Sequence, residues 1–510
     1  EDIPNETSVF RLEPGSTELI EKVIGQQFPH ISQVNVATIG RFAEGNSRVA
    51  IALANTLDQK DSLAGIGDKA LFERLFWQRG EVDSDLMNAA QVCALVYSFN
   101  VEDSDTELPQ LASLADMSSL ALYRHIDELF RRGLAQKRGP WRAVLPHAIA
   151  NTLASRALSA TPYSVIASNL IEGHGRLLRS FSRRLSYLHE SLDAVAIVQR
   201  WFAHGNLLAD LTNLADPLVD VLQNVAPVDP EATLLAIERA ASGDHASEFI
   251  STNNFMRTRI VRLLRSIAWD AKYFERCLDV MVRFALAESE DNRNDSTRGV
   301  IESLFALYLS GTRATLEQRL TWITRALRNE DPLLQRIGVQ CLKTALEAHH
   351  FTSFYGFEFG ARPRDYGISP RGKEVREWFT AIIELATEIG VEPTNIGSQV
   401  RSVLADRFRS LWAVAGMVDA LEQATPRFLE LGWEKGWLAI KQTIRFDAAG
   451  MPEDIQERLK ALESLSRPQT LIARTKAIVL NSFSGGLDIT DGDEHGSQAY
   501  ERADQAAREL

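Results

Sequence analysis

The residues whose type and spacing could do chemistry are few. His147 stands in Leu145-Pro146-His147-Ala148-Ile149-Ala150-Asn151, at the head of a helical pattern that runs to Leu158. A ring nitrogen there can donate to a phosphate oxygen, and the same ring can serve equally as a capping or core residue. Upstream, Gly40-Arg41-Phe42-Ala43-Glu44-Gly45-Asn46-Ser47-Arg48-Val49-Ala50 reads as helix, break, helix. Asn46 or Ser47 is suited to cap the second of the two helices. Far downstream, Phe351 to Arg371 carries Phe351, Phe354, Tyr355, Phe357, Phe359 and Tyr366, with Arg362, Arg364 and Arg371 among them. Aromatics and arginines on a long loop suit recognition of a partner or a nucleic-acid strand. The structural alternative is an insertion packed along a helical surface, its aromatics filling a groove. Arg362, Arg364, Tyr366 and Arg371 are the candidate partner-binding residues.

A complete active site is not expected. No Gly-x-x-x-x-Gly-Lys-Ser/Thr phosphate loop occurs, and Gly65-Ile66-Gly67-Asp68-Lys69 has the wrong spacing with no strand before it. His-Glu-x-x-His, Cys-x-x-Cys and Gly-x-Ser-x-Gly are missing too. His349 and His350 are adjacent and cannot share one helix face. The expectation is no catalytic residue and no metal ligand in this chain. Cys93, Cys277 and Cys341 each sit in an apolar helical pattern and read as buried free thiols of a reducing compartment.

Composition bounds the elements that must position these residues. The 510 residues suit about three domains, with 45% hydrophobic and 24% charged residues, as in an ordinary globular chain. A net charge of -13 and an isoelectric point near 5.4 argue against a general nucleic-acid binder. No apolar run approaches the ~20 residues of a membrane helix, and no signal peptide opens the chain. A cytoplasmic protein without membrane contact is expected. The chain begins with Glu1 instead of Met, so a fragment or processed product is expected.

Helical periodicity dominates and predicts a mainly α fold. Residues 1 to about 30 are acidic and broken by Pro4, Pro14 and Pro29 around a short helix, Glu18 to Gln26. Helices follow on both sides of Gly45-Asn46 and over Lys69 to Arg79. Next come a helix from Asp85 to Phe99, an acidic loop from Val101 to Thr106, a helix from Leu108 to Ala115 and the turn Asp116-Met117-Ser118. A third helix runs to Arg132, with Leu122, Ile126, Leu129 and Phe130 on its apolar face. Gly133 stops it. Leu134–Lys137 and Arg142–Leu145 then form a hairpin around Arg138-Gly139-Pro140-Trp141. Helix-turn-helix followed by hairpin is the pattern of a winged helix. On the third helix Asp127 and Glu128 would face DNA phosphates, whereas Gln136, Lys137, Arg138 and Arg142 make the wing modestly basic. Protein contact is favoured there over DNA reading. From about Tyr163 onward the chain reads as helix pairs, such as Phe255–Trp269 with Ala271–Glu288 and Leu316–Arg328 with Pro332–Ala348. That is an irregular α-solenoid of HEAT- or TPR-like pairs without a strict period. Asp488 to Glu494 is an acidic linker to a tail. Four segments result: a small helical domain (1–80), a winged helix (81–160), an α-solenoid (161–487) and an acidic tail (488–510).

Gly40 to Leu57, followed at this distance by a winged helix ending in Leu145-Pro146-His147, resembles the STAND class of signal-transduction NTPases, relatives of apoptotic and plant immune ATPases. Bacterial members include antiviral defence proteins. In that class a Gly-x-Pro element of the small helical domain packs near the adenine, and a winged-helix histidine contacts the ADP phosphate in the closed state. Gly45-Asn46-Ser47 stands at the Gly-x-Pro place, with serine for proline, and His147 stands in Pro-His-Ala instead of Met-His-Asp. The resemblance covers about residues 30 to 160. It implies nucleotide-sensing roles for Asn46, Ser47 and His147. It implies ATP or ADP as cofactor of the parent protein, none being bound by this chain alone, and places the phosphate loop and any effector domain upstream of Glu1. A protein trigger on the solenoid and oligomerisation when active follow. The alternative is a winged-helix transcription regulator whose solenoid binds a partner, with DNA the lesser expectation. A scaffold without a switch is the third reading.

Overall fold

The computed structural model describes residues 15–57, 61–63, 65–78, 81–102, 107–173, 175–212, 214–288, 296–349, 351–470, 472 and 474. Pro4, Pro14, most of the Val101–Thr106 loop, His350 and the acidic 488–510 tail lie outside the described residues. The fold is mainly α, with 64% helix and 3% strand. Its contacts divide it into two compact units, Glu1–Ala236 with Phe359–Arg362, and Ile237–Glu358 with Pro363–Leu510. The helix that leaves the winged helix, His147–Ala160, also packs on Leu192–Phe202 of the repeat region.

The first unit opens with α1 (Thr17–Gln27), α2 (Gln33–Ala43) and α3 (Ser47–Ala54), which pack on one another. Ser16 and Ser32 cap the first two, and Asn46 caps α3 by accepting from the amides of Arg48 and Val49. Such a cap contributes about 1 kcal/mol. The break requires two left-handed residues in a row, Glu44 (φ 44°) and Gly45 (φ 81°), which glycine adopts at least cost. α4 (Asp68–Arg74) is shorter than the helix expected over Lys69–Arg79. Trp77–Gln78 (β1) leaves it to pair with Glu81–Val82 (β2). The carbonyls of Leu75 and Trp77 accept from Arg132 Nη1 instead of continuing a helical ladder.

The winged helix follows as α5 (Ser84–Ala94), β3 (Phe99–Asn100), α6 (Leu108–Leu114), α7 (Ser119–Arg131), β4 (Ala135–Arg138) and β5 (Trp141–Val144). The sheet order is β3-β5-β4, all antiparallel. β3 lies where the sequence predicts the end of the Asp85–Phe99 helix. The helix stops early because Tyr97 donates its N–H to Ser180 O and Ser98 donates to Ser180 Oγ, outside the helical ladder. The hairpin turns on Gly139-Pro140 alone, with Gly139 at φ 54° in the first central position. Leu122, Ile126 and Leu129 are buried, but Phe130 is 45% exposed. One residue beyond Leu129 is a step of about 100° around the helix, which carries Phe130 off the buried face. α8 (His147–Ala160), α9 (Tyr163–Ile166), a π turn over Ala167–Ile171, α10 (Gly175–Leu185), α11 (Leu192–Phe202) and α12 (Asp216–Val225) complete this unit up to the middle of α13 (Pro230–Ala240).

The second unit continues with α14 (Ala246–Ile250), α15 (Arg257–Ile267), α16 (Phe274–Leu286), α17 (Thr297–Ser303), α18 (Leu316–Leu327) and α19 (Pro332–Ala345). After an irregular strap come α20 (Lys373–Gly390), α21 (Asn395–Ala413), α22 (Val418–Ala424), α23 (Pro426–Leu429), α24 (Glu434–Asp447) and α25 (Glu453–Ser466). Pairs pack as the repeat pattern expects: α15 on α16, α18 on α19, α20 on α21 and α24 on α25. Asp331 caps α19, and Thr315 with Gln318 forms a capping box on α18. Ile337, Cys341, Leu342 and Ala345 are buried, and all three cysteines are buried free thiols. Among the described residues no helix is long and apolar enough to cross a membrane.

A buried ionic knot closes the α15–α17 layer. Arg257 Nη2 donates to Glu288 Oε1 at 2.8 Å, to Thr297 Oγ1 at 3.0 Å and to Phe284 O at 2.5 Å, and Glu288 has no exposed side-chain surface. Burial raises the Glu288 carboxyl, but hydrogen bonds from Thr297 and from Arg257 outweigh it and hold the group below its ordinary range. Removing Glu288 leaves the Arg257 guanidinium buried without its carboxylate. Glu288→Ala is therefore expected to cost about 3–5 kcal/mol in urea unfolding. Arg257→Ala added to it should cost much less than the sum of the two single changes, and additive losses would rule out the coupling.

Candidate functional site

The site is built on the start of α8. Pro146 precedes the helix and supplies no side-chain cap, so the first-turn amides have no capping oxygen. His147 occupies the first helical position. Unsatisfied N–H groups and the helix dipole make such an end receptive to anions. The imidazole stacks with Tyr97, ring centroids 5.3 Å apart, and with Tyr187 at 5.9 Å and an interplanar angle of 6°. Tyr97 and Tyr187 stack in turn at 6.2 Å. Tyr97 comes from the segment between α5 and β3, and Tyr187 from just beyond α10. The ring trio therefore joins the winged helix to the first repeat helices within one unit.

Two arginines of α10 border the trio. Arg183 is exposed and its guanidinium lies over the Tyr97 ring, 4.0 Å from the centroid. Arg184 is fully buried, and its Nη1 donates to Asn151 Oδ1 at 2.7 Å, one turn along α8 from His147. Its Nε and Nη2 have no hydrogen-bond partner. Burial lowers the Arg184 pKa to about 10 despite the opposing influence of Tyr97 and Tyr187. Burial, then the charges of Arg184 and Arg183, push His147 below the ordinary histidine range. The ring is accordingly neutral near pH 7, with one donor and one acceptor nitrogen.

α10 is latched into the winged helix beside this cluster. Arg176 Nη2 donates to Glu107 Oε2 at 2.6 Å and to Ser98 O at 2.8 Å, while Glu107 Oε2 also accepts from the amide of Asn100. Ser180 Oγ donates to Ser98 O at 2.6 Å. Arg176 also lies 4.8 Å over Trp141 of the wing. A displacement of α10 therefore breaks polar contacts to β3 and to the hairpin.

The other candidate residues lie elsewhere. Asn46 uses its side-chain oxygen on the α3 cap, and the exposed Ser47 hydroxyl makes no hydrogen bond among the described residues. No hydrogen bond, ion pair or ring contact among the described residues joins either to His147. Phe351–Arg371 is irregular chain. Arg362 donates to the carbonyls of Pro227 and Val228, and Gly360 (φ 59°) sits so close to Ser186 O and Pro227 that a Cβ would collide. Arg364 donates to Ser266 O in the last turn of α15 and lies over Trp269. Tyr366 is 58% exposed and meets Phe357 edge to face at 4.9 Å. Arg371 is exposed, and its backbone amide donates to Glu374. No group of three or more potential metal ligands occurs among the described residues. Sequence reasoning passed over Arg176, Arg179, Arg183 and Arg184. Their i, i+3, i+7, i+8 spacing on a short helix was the available signal.

No family model matches the chain, and no curated protein matches it. A solved structure of a Signal Transduction ATPase with Numerous Domains from Pyrococcus horikoshii, carrying a tetratricopeptide-repeat sensor, matches at 12% identity. That match covers 97% of this chain and 73% of the other, with a TM-score of 0.20. A likeness this distant assigns neither fold nor function.

The two depressed histidines of this unit set a pH dependence. His189, like His147, lies below the ordinary range, through burial and then the charge of Arg362, with Glu190 opposing. The unfolded chain binds these protons first, at about pH 6.5. Their contribution to stability is present above that pH and is lost as pH falls through the lower folded values. The urea midpoint should therefore drop between about pH 7.5 and about pH 5.5, and drop less in His147→Gln/His189→Gln. Equal drops in the two proteins would exclude these histidines as the cause.

Proposed function

We propose that this chain is the regulatory and ligand-sensing portion of a STAND-like NTPase switch, of the kind used in bacterial antiviral defence. The observation that carries the reading is the His147–Tyr97–Tyr187 stack beside the incompletely partnered Arg184. At one point it combines an uncapped helix start, a neutral imidazole donor and a buried cation, all suited to an anion. The same point is fastened to both the winged helix and the repeat helices. In the parent protein, ADP held by an upstream NTPase domain would present its phosphate to His147, with Asn46 and Ser47 towards the base. Bound nucleotide supplies negative charge, which compensates Arg184 and favours the closed arrangement. Loss of the contact loosens α8 against α10 and favours the open, oligomerising state. A protein trigger would act through the repeat helices, with the exposed Tyr366 and Arg371 as contacts and Arg362 and Arg364 holding the strap that presents them. The setting would be cytoplasmic.

The DNA-regulator alternative has less to support it. Arg131 and Arg132 pair with Asp127 and Glu128 on α7, and Arg142 is buried against the carbonyls of Gly139 and Trp141. Arg124, Lys137 and Arg138 remain exposed.

The test is His147→Ala in the parent protein with its upstream domains. Coupling energies between linked sites usually correspond to about 5- to 150-fold. ADP retention should fall by at least the lower figure, and basal activity should rise. Unchanged retention and basal activity would reject the switch. Tight, salt-sensitive duplex binding lost in Arg124→Glu/Arg138→Glu would instead favour the DNA regulator.

A further inference from the structure

A polar groove runs along α10 beside the ring trio, separate from the start of α8. Its volume is about 530 Å³, and its lining includes Arg176, Arg179 and Arg183 from α10, Tyr97 and Ser98 from the winged helix, and Asn224 from α12. Ligand pockets of small molecules span about 300–1,000 Å³, so this one is of useful size. The three arginines, at i, i+3 and i+7, share one face of the helix.

Their commitments differ. Arg176 is spent on Glu107 and Ser98 O. Arg179 reaches Asp220 at 3.3 Å, with both side chains partly exposed, a pairing that water screens. Arg183 makes no ion pair or side-chain hydrogen bond among the described residues and only covers the Tyr97 ring. Immediately behind it Arg184 is fully buried with two nitrogens unpartnered. The lining sets three arginines against one carboxylate, Asp220, and Arg183 has no ion-paired carboxylate among the described residues, so the groove carries excess positive charge in a chain of net charge -13. Planar guanidinia bind phosphoryl oxygens in paired hydrogen bonds.

We infer that this groove is an effector site for a small molecule bearing adjacent phosphoryl groups, bound by Arg179 and Arg183. The inference goes beyond the switch reading and does not require His147 to touch a nucleotide. Because Arg183 lies on Tyr97, and Tyr97 stacks on His147, occupancy of the groove acts directly on the ring trio. Arg183 drawn towards a phosphoryl group uncovers Tyr97, whose backbone is tied to Ser180 of the same helix.

Calorimetric titration of this chain with inorganic pyrophosphate tests the site. One-site binding is expected in the micromolar to low-millimolar range, about -4 to -8 kcal/mol, weakening as salt rises. Arg179→Gln/Arg183→Gln should weaken it at least about tenfold, or 1.4 kcal/mol. The surface control Arg131→Gln/Arg138→Gln should leave it within about threefold. Hydrogen exchange on the unaltered protein should show pyrophosphate protecting amides of 97–98 and 176–183, which locates the site without any variant. No saturable binding, or binding retained in Arg179→Gln/Arg183→Gln, overturns the inference. Loss in His147→Ala with retention in the arginine variant also overturns it, while leaving the switch reading standing.

Discussion

Backbone carbonyls left over by irregular helix pairs must be satisfied, and in this protein arginine side chains do much of that work. A regular solenoid repeats its loops and can repeat their hydrogen bonds. Here the loops differ at each step, and helix ends and turns present carbonyls at irregular positions to the interior, where an unpaired polar group is costly. Arg257 serves Ile250 and Phe284, Arg265 serves Ser310, Arg319 serves Ala306, and Arg401 serves Gly390. Arg362 and Arg364 do the same from the strap. A guanidinium suits the task because it offers five donors in a flat fork on a long stem. Burial depresses Arg265 to a pKa of about 10 and Arg319 to about 9, which still leaves both cationic at neutral pH.

Against that background Arg184 is the exception. Arg74 and Arg319 each have a buried Nε without a hydrogen-bond partner, but among the described buried side chains Arg184 alone has two such nitrogens, Nε and Nη2. Its environment is aromatic instead of carbonyl-rich, and its single side-chain bond goes to Asn151. A cation held in that way favours any arrangement that brings it an oxyanion. The two unsatisfied nitrogens of Arg184 thus lie where α8, α10 and the winged helix meet, whereas single ones, such as Arg319 Nε and Trp412 Nε1, occur in the repeat layers.

The latch between α10 and the winged helix gives this junction its mechanical meaning. The Ser180 hydroxyl accepts from the Ser98 amide and donates to the Ser98 carbonyl, so one side chain stands in for a stretch of strand pairing. Arg176 and Glu107 add charge-assisted bonds beside it. Discrete polar contacts of this kind are made or broken, not gradually stretched, which suits a two-position coupling. α7 presents no comparable chemistry: its Arg131 pairs with Asp127 and Glu128, and its exposed Leu120, Tyr123 and Phe130 give that face an apolar character.

Periodicity alone determined the mainly α fold, the helix-turn-helix, the wing hairpin and the paired repeat helices, because apolar spacing and capping residues are local properties. Asn46, Ser118 and Asp331 cap the helices that their sequence context predicts. Local pattern also marked His147 as the head of α8. What it could not supply were interactions between distant segments. β3 exists because Ser180 draws the Tyr97–Ser98 backbone out of a helix more than eighty residues earlier, and α4 gives way to Trp77–Gln78 paired with Glu81–Val82, with Arg132 donating to the Trp77 carbonyl. The strap's composition was conspicuous, yet only tertiary contacts distinguish Arg362 and Arg364, occupied by carbonyls, from Tyr366 and Arg371, which face solvent. The arginine face of α10 was written in the sequence at helical spacing. Its significance depended on which guanidinia found carboxylates and which did not, and that was decided by the packing of α8, α12 and the winged helix around it.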